Sequence, residues 1–381
     1  MSHIDEIKIA TLNLFNYIEP PNAYYDFDNI YTHQEWRKKQ AWIVRFLLKA
    51  QPDVIAFQEV FSGDALKVLL KDNGYPYFAI AGEPVQKADH VYESPVVAIA
   101  SRYPIENAAI VKANPLLPGS MGLLGDFSYS RAPLWVSIKL PSLGLCDFYV
   151  VHLKSKRPMV DAIECAYEAQ HSQKRGAPDP ALKNGSSQSA PYHTEFSQGA
   201  IRSSSKKANE EADNVGQVLA ENALGTWAAS IQRGTEAAML FSHIINSRQR
   251  HQQPFVLMGD FNDAISGDIL SHLMTNELRF SRESRGEISD FVIKDAFDLY
   301  QASLDLMFEL PRPATHYHGS KGAVLDYILL SSEFTPTDKH NMAVVTHYQI
   351  FDEHLVNPQY EQDSQSSDHA PVMISVLPRG C

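Results

Sequence analysis

Apolar and polar positions along the chain fall into two periods, one of strands and one of helices, in two blocks separated by a stretch with neither. In the first block, Ile7–Asn13 alternates as a half-buried strand should. Trp36–Lys49 carries apolar residues at helical spacing, Asp53–Phe57 is a short apolar run, and Ala65–Leu70 is again helical. Val96–Ala100, Leu134–Leu140 and Asp147–Val151 read as strands. In the second block, Glu236–Asn246 predicts a helix, and Phe255–Met258, Val324–Leu330, Ala343–Ile350 and Pro371–Val376 predict strands. Strands and helices alternate in both blocks, with no heptads and no internal repeat. That pattern predicts an α/β sandwich with sheets inside and helices outside.

The intervening stretch runs from about Arg157 to Ser230. Its middle, Gly176–Asn209, is rich in Ser, Pro, Gly, Gln and Asn, a composition that buries little. Its end, Glu210–Ala229, is more helix-like. Two readings stand side by side: a lid that selects substrate, as long structureless loops often are, and a passive surface insertion.

Six of the predicted strands share a feature: an apolar run with a chemically active polar residue at one end. In four the residue follows the run: Asn13 after ATL, Glu59 after VIAFQ, His152 after FYVV, and Asp260 with Asn262 after VLMG. In two it precedes the run: Asp326 opens DYILL, and Asp368–His369 open HAPVMISV. Antiparallel neighbours run in opposite directions, so ends of some strands and starts of others can share one sheet edge. Each motif alone is an ordinary strand end or turn, since Asp and Asn favour turns. Their joint occurrence in this order carries the weight.

Charge and cysteine usage narrow the classes. A net charge of −12 argues against a broad basic face for sequence-independent duplex binding. It leaves room for a local basic cleft, or for a metal bridging an acidic enzyme to a phosphate. The cysteines Cys146, Cys165 and Cys381 form no CxxC pair, so neither a disulfide framework nor a thiolate zinc site is expected. That usage fits a reducing cytoplasm. The N-terminal residues carry acids and no long apolar run, so no signal peptide or transmembrane helix is expected, and cytoplasmic localisation is.

The residue types suit metal-assisted chemistry on a phosphate. A hard cation such as Mg²⁺, or Mn²⁺, wants oxygen ligands, and Glu59 beside Asn13 offers them. Asp260 and Asn262, two apart, would share a strand face, one orienting water and the other donating to phosphate. His369 with Asp326 forms a plausible acid/base dyad. The fork of Arg131 suits phosphate oxygens, although an ordinary surface salt bridge is its alternative. Arg102 reads as a structural residue tying a turn, and Lys154 and Lys156 as solvated cations able to widen a positive rim.

The segments TLNLFN, PDVIAFQEV, ASRYPI, SRAPLWVSI, VVHLKS, MGDFND, LDYILLS and SDHAPV resemble the endonuclease/exonuclease/phosphatase superfamily, which includes pancreatic-type deoxyribonucleases, abasic-site endonucleases, sphingomyelinases and inositol-polyphosphate phosphatases. They occur in the family's order over nearly the whole chain. The resemblance implies a four-layer α/β sandwich, two mixed sheets face to face with helices outside, in one domain over residues 1–381 with the insertion at about 157–230. It implies catalytic roles for His152, Asp260, Asn262, Asp326, His369 and Arg131. Of these, His152, Asn262 and Arg131 would contact the substrate phosphate. It also implies metal ligation by Glu59, Asn13 and Asp368, and places Thr315 ahead of the LDY strand without a defined role. The expected substrate is a phosphate ester, first of all a phosphodiester in nucleic acid. Small or lipid phosphate esters are the second expectation, mildly favoured by the acidic balance, and an inactive binding homologue is the third. No protein partner is implied. The helix motif Arg233, Glu236, Ala237 is similar to one in bacterial nuclease members.

Overall fold

The computed structural model describes residues 6–114, 127–159, 202–274, 288–304 and 308–379. In chain order the strands are β1 (Ile7–Tyr17), β2 (Ala23–Tyr24), β3 (Val54–Val60), β4 (Tyr77–Ile80), β5 (Val85–Ala88), β6 (Val91–Ser94), β7 (Val96–Ser101), β8 (Ile105–Ile110), β9 (Leu134–Leu140), β10 (Gly144–His152), β11 (Phe255–Asp260), β12 (Lys294–Asp295), β13 (His316–His318), β14 (Lys321–Ala323), β15 (Asp326–Leu330), β16 (Ala343–Ile350) and β17 (Val372–Pro378). The helices used below are α1 (His33–Ala50), α2 (Gly63–Asp72) and α3 (Arg202–His251).

The chain groups into two compact units, residues 1–154 with 233–381, and residues 155–232. The first unit holds two mixed sheets of six strands, ordered β16-β17-β1-β3-β7-β4 and β12-β15-β11-β10-β9-β8. Each is built around one parallel pair, β1 with β3 and β10 with β11, flanked by antiparallel neighbours. The inward faces meet in one apolar layer: Ile9, Val54 and Ile99 come from the first sheet, and Val136, Phe148, Val256 and Ile328 from the second. Each such side chain, fully buried, contributes roughly 1.5–3 kcal/mol.

The outer face of the first sheet packs Ala10, Leu12, Ile55 and Phe57 under α1 and α2. Helix α1 starts at a capping box, in which the Thr32 hydroxyl accepts from the Glu35 N–H and the Glu35 carboxylate accepts from the Thr32 N–H. It buries Trp36, Ile43, Phe46, Leu47 and Ala50 at helical spacing. The outer face of the second sheet packs Tyr149, Val151, Phe255 and Leu257 under Ala237, Leu240 and Ile244 of α3. The result is helix, sheet, sheet, helix: the four-layer α/β sandwich expected from the sequence.

Every strand and helix expected from the sequence has a counterpart among these elements, with ends shifted by a few residues, except that Glu210–Ala229 and Glu236–Asn246 fall within the single long helix α3. The short strands β2, β4, β5, β6, β8, β12, β13 and β14 had no such signal, because two to six residues with mixed polarity carry no period. The expected loop Gly176–Asn209 lies outside the described residues up to residue 201. Residues 202–209 instead begin α3. Cys165 and Cys381 also lie outside the described residues, and Cys146 is a buried free thiol. Among the described residues no helix is long and apolar enough to cross a membrane.

Candidate active site

The parallel pairs decide where the site forms. β1 and β3 run side by side and end at the same edge, with Asn13 in register with Gln58. β10 and β11 do the same, with His152 opposite Asp260. β15 runs the other way and starts there, Asp326 opposite Asp260. β17 pairs its first residue, Val372, with Thr11, so the preceding Asp368 and His369 arrive at that edge too. Six motifs scattered from residue 13 to residue 369 thereby meet at one edge of the sandwich.

On the first sheet, Ile9, Thr11 and Asn13 share the inward face. Thr11 and Gln58 close the apolar layer with a buried side-chain pair, Gln58 Nε2 donating to Thr11 Oγ1 at 3.1 Å. Simple alternation would leave Glu59 on the outer face with Ile55 and Phe57. The backbone prevents this: Glu59 has φ 60°, and the β3–β7 register shifts between Phe57 and Val60. A non-glycine residue there costs about 1–3 kcal/mol, a strain found often at functional sites. The turn brings the carboxylate to Asn16 N–H, which donates to Oε2 at 2.9 Å, and to Asn13 Nδ2, 3.4 Å from Oε1.

On the second sheet, Gly259 at φ 142° lets β11 approach β10; a Cβ there would lie 2.0 Å from the Val151 carbonyl oxygen. Strand β11 stops at Asp260, so the sequence argument that Asp260 and Asn262 share a strand face needs correction. A turn joins them: Asn262 sits at φ 55°, and its N–H donates to Asp260 Oδ1 at 2.8 Å. Asparagine tolerates this left-handed position better than most residues. Its amide Nδ2 donates to the Leu153 carbonyl at 2.9 Å, and Arg131 Nη1 reaches the same carbonyl at 3.4 Å.

Asp260 is the hub. It is 1% exposed, and its Oδ2 lies 3.1 Å from Asn13 Nδ2, 3.3 Å from Asn262 Nδ2, 3.5 Å from His152 Nε2 and 3.9 Å from His369 Nε2. His369 Nδ1 sits 2.8 Å from Asp326 Oδ2. Thr315 anchors this dyad: its hydroxyl accepts from the N–H groups of Leu325 and Asp326, and its carbonyl accepts from Ala370. Ser367 ties the sheets' ends, its hydroxyl donating to the Asn13 carbonyl at 2.6 Å and accepting from His369 N–H. Arg102 ties a turn as expected, its N–H donating to the Asp53 carbonyl.

The electrostatics split the two histidines. Burial pushes His152 well below the ordinary imidazole value, and the charges of Arg131, His369 and Lys154 push the same way. His152 is therefore a neutral hydrogen-bonding group at pH 7. Burial would also depress His369, but Asp326, Asp260 and Asp368 outweigh it and hold the imidazole well above its ordinary value, as a cation. Burial lifts Asp260 to about 7 against the attraction of His369, with Asp326 and Glu59 adding to the rise.

Lys39 was not singled out from the sequence. It lies on the buried face of α1, 1% exposed, with Nζ 5.6 Å from the Phe15 ring centroid and 5.5 Å from that of Tyr31. Burial lowers its pKa to about 8, opposed by attraction to Glu59 and Asp368. The available signal was its spacing: three residues after Trp36 and four before Ile43, it falls on the apolar stripe.

A family model described as the endonuclease/exonuclease/phosphatase family matches residues 11–369, from the strand of Asn13 to His369 itself. The chain belongs to the endonuclease/exonuclease/phosphatase family. Members of this family hydrolyse phosphoester bonds. Comparison with curated protein sequences finds no match. Among solved structures, the human Nocturnin catalytic domain is 15% identical with a TM-score of 0.53, covering 98% of this chain and 95% of that one. An endonuclease/exonuclease/phosphatase protein from Bacteroides vulgatus is 14% identical with a TM-score of 0.51, covering 98% of this chain and 100% of that one. At these identities the likeness is one of fold.

The donor set fits the divalent metal associated with the family. Among the described residues, two groups of His and carboxylate side chains bring ligand atoms within 4.8 Å of one another: Asp260, Asp326 and His369, and His316, Asp368 and His369. The first is closed on itself by the dyad and by Asn262, with side chains almost wholly buried. The oxygen-rich choice is Glu59 with Asn16, whose N–H donates to it, and Asp368, which like Glu59 attracts Lys39; Asn16 Oδ1 and Asp368 Oδ1 are buried without a hydrogen-bond partner, as are Asp326 Oδ1 and His152 Nδ1 in the other half. Hard cations prefer oxygen ligands. Asn13, expected as a ligand, turns its amide nitrogen to the carboxylates of Glu59 and Asp260, and its Oδ1 accepts from Phe15 N–H at 3.0 Å.

Proposed function

We propose that the chain is a Mg²⁺- or Mn²⁺-dependent phosphodiesterase acting on nucleic acid. The carrying observation is the continuous side-chain path Glu59–Asn13–Asp260–His369–Asp326, which links an oxygen-rich half to an acid/base half. Glu59, with Asp368 and Asn16, would hold the metal, which when bound acts as a Lewis acid on a phosphoryl oxygen. Asp260 orients the attacking water and accepts its proton, a role served by a pKa near neutrality. Asn262, neutral His152 and Arg131 stabilise charge developing on the phosphoryl oxygens. Cationic His369, fixed by Asp326, binds or protonates the phosphate.

Nocturnin's structure carries a bound sulfate, an anion of phosphate's shape. Arg131 and Lys154, both acting on His152, put positive charge beside the site where a polyanion would continue past the scissile bond. The net charge of −12 favours the second reading, a small or lipid phosphate ester. A panel of plasmid DNA, single-stranded DNA, RNA, sphingomyelin and inositol phosphates, each with Mg²⁺, tests the choice. Turnover of nucleic acid above the others is expected; turnover confined to sphingomyelin or inositol phosphates selects the second reading.

A further inference from the structure

The Arg-x-x-Glu motif of α3 has no place in the chemistry above, yet both side chains are buried, Arg233 at 1% and Glu236 at 0% exposure. Three residues apart on a helix, they project to the same side. The Glu236 carboxylate accepts from two backbone N–H groups at 2.7 Å each, Ser130 through Oε1 and Lys154 through Oε2. The Arg233 guanidinium donates to the Lys154 carbonyl at 3.1 Å and, through Nε and Nη2, to Asp263 Oδ2 at 3.1 and 2.7 Å. Every residue gripped is the chain neighbour of one that meets at a single atom. Ser130 precedes Arg131, Asp263 follows Asn262, and Lys154 follows Leu153, whose carbonyl accepts from both Arg131 and Asn262.

We propose that Arg233 and Glu236 are positioning residues, a two-pronged clasp that fixes where Arg131 and Asn262 stand relative to the scissile phosphate. The inference rests on the reading of this edge as a hydrolytic site. Charge-assisted bonds to backbone are short and directional, which suits them to holding three loops in one register. Ala237, Leu240 and Ile244 fasten the same stretch of helix to the second sheet, so the clasp is mounted on a rigid layer. Glu59 belongs to the other sheet and lies outside these contacts.

The test is a mutant cycle in the full chain, read with bis(p-nitrophenyl) phosphate and Mg²⁺. Glu236→Gln keeps the shape but replaces one accepting oxygen with a donor that faces a backbone N–H. It is expected to lower kcat about 10²-fold, the scale of losing one charge-stabilising donor, with KM changed far less and Mg²⁺ binding, measured by calorimetry with the metal alone, unchanged. In a background of Arg131→Ala with Asn262→Ala, the same substitution is expected to cost about threefold or less, because its targets are gone. Equal fold-losses in the two backgrounds overturn the proposal, as does an unchanged kcat in Glu236→Gln. Arg233→Lys, which keeps the buried charge but not the fork, serves the same cycle if Glu236→Gln does not fold. A wild type that turns over no phosphodiester with either metal overturns the reading of the site, and the clasp with it, whereas an active wild type with an indifferent Glu236→Gln overturns the clasp alone.

Discussion

The two sheets have the same pattern of strand directions and opposite chemistry. Matching their orders places β1 against β11, β3 against β10, and β17 against β15. Asn13 then corresponds to Asp260, Glu59 to His152, and the Asp368–His369 pair to Asp326. Non-glycine residues at positive φ also mark this edge on both sides: Phe15, Asn16 and Glu59 in the first sheet, and Asn262 in the turn just past β11 of the second. The second sheet uses this plan to build a closed polar network: His152, Asp260 and Asp326 are all buried and stand on one another and on His369. The first leaves Glu59 half-exposed, with buried oxygens nearby that have no partner. A sheet edge whose ionisable groups are buried against one another tunes proton affinities; one that is more open and oxygen-rich takes a cation. The division of labour follows from burial as much as from residue type.

Breaking the acid/base half, the second sheet's Asp260 and Asp326 with the His369 bound to them, gives the largest expected effect. Asp260→Asn and His369→Ala each lower kcat by roughly 10²–10⁴-fold, the range of general acid–base catalysis, while the Mg²⁺ concentration at half-maximal rate stays put. A large shift in that concentration would erase the distinction between the halves. Breaking the first sheet's half reads out in the metal. Asn13→Ala, which removes the amide facing Glu59, is expected to weaken Mg²⁺ binding by about 10–100-fold, as loss of an outer-shell partner does. Calorimetry with Mg²⁺ alone checks it, and unchanged affinity would return Asn13 to a purely structural role.

Much of this comparison was legible in the sequence, and the reason is local. Apolar runs such as VIAFQ and FYVV announce strands, and a polar residue at the end of a run announces an edge. Convergence required that strands with the residue at their end run parallel, as β1 with β3 and β10 with β11, and antiparallel to β15 and β17, which carry it at or before their start. What stayed hidden has no local signature. Glu59 reaches the site through a left-handed turn that reverses the face alternation would assign, and Asn262 joins Asp260 through a turn rather than along a strand. Lys39 reads as a misplaced surface charge until its helix is packed on the sheet. Arg233 and Glu236 stand out only as a motif, and their role stayed hidden because the backbone N–H groups, carbonyl and carboxylate they bind lie 30 or more positions away.

Two smaller effects sharpen the contrast. Lys39→Met removes a buried positive charge attracted to Glu59 and Asp368. Mg²⁺ should then bind more tightly, by roughly tenfold if the charge is worth about 1.4 kcal/mol to the site. Weaker binding would mean that Lys39 holds the ligands in place instead of competing with the cation. His152 supplies the pH test. Its folded pKa lies below the unfolded value of 6.5, so at acid pH the unfolded chain binds the extra proton and stability falls as pH drops through that value. His152→Gln removes this contribution. Its Tm should fall less than that of the wild type between pH 7.5 and pH 5.5, and equal falls would mean that His152 is not held neutral.

The central claim is that these two unlike halves make one metal-dependent centre for phosphoester hydrolysis. Its most direct test is the turnover of bis(p-nitrophenyl) phosphate by the wild-type chain after dialysis against EDTA, before and after Mg²⁺ or Mn²⁺ is restored. The account predicts no turnover in EDTA and recovery with either ion. Full turnover in excess EDTA would contradict it.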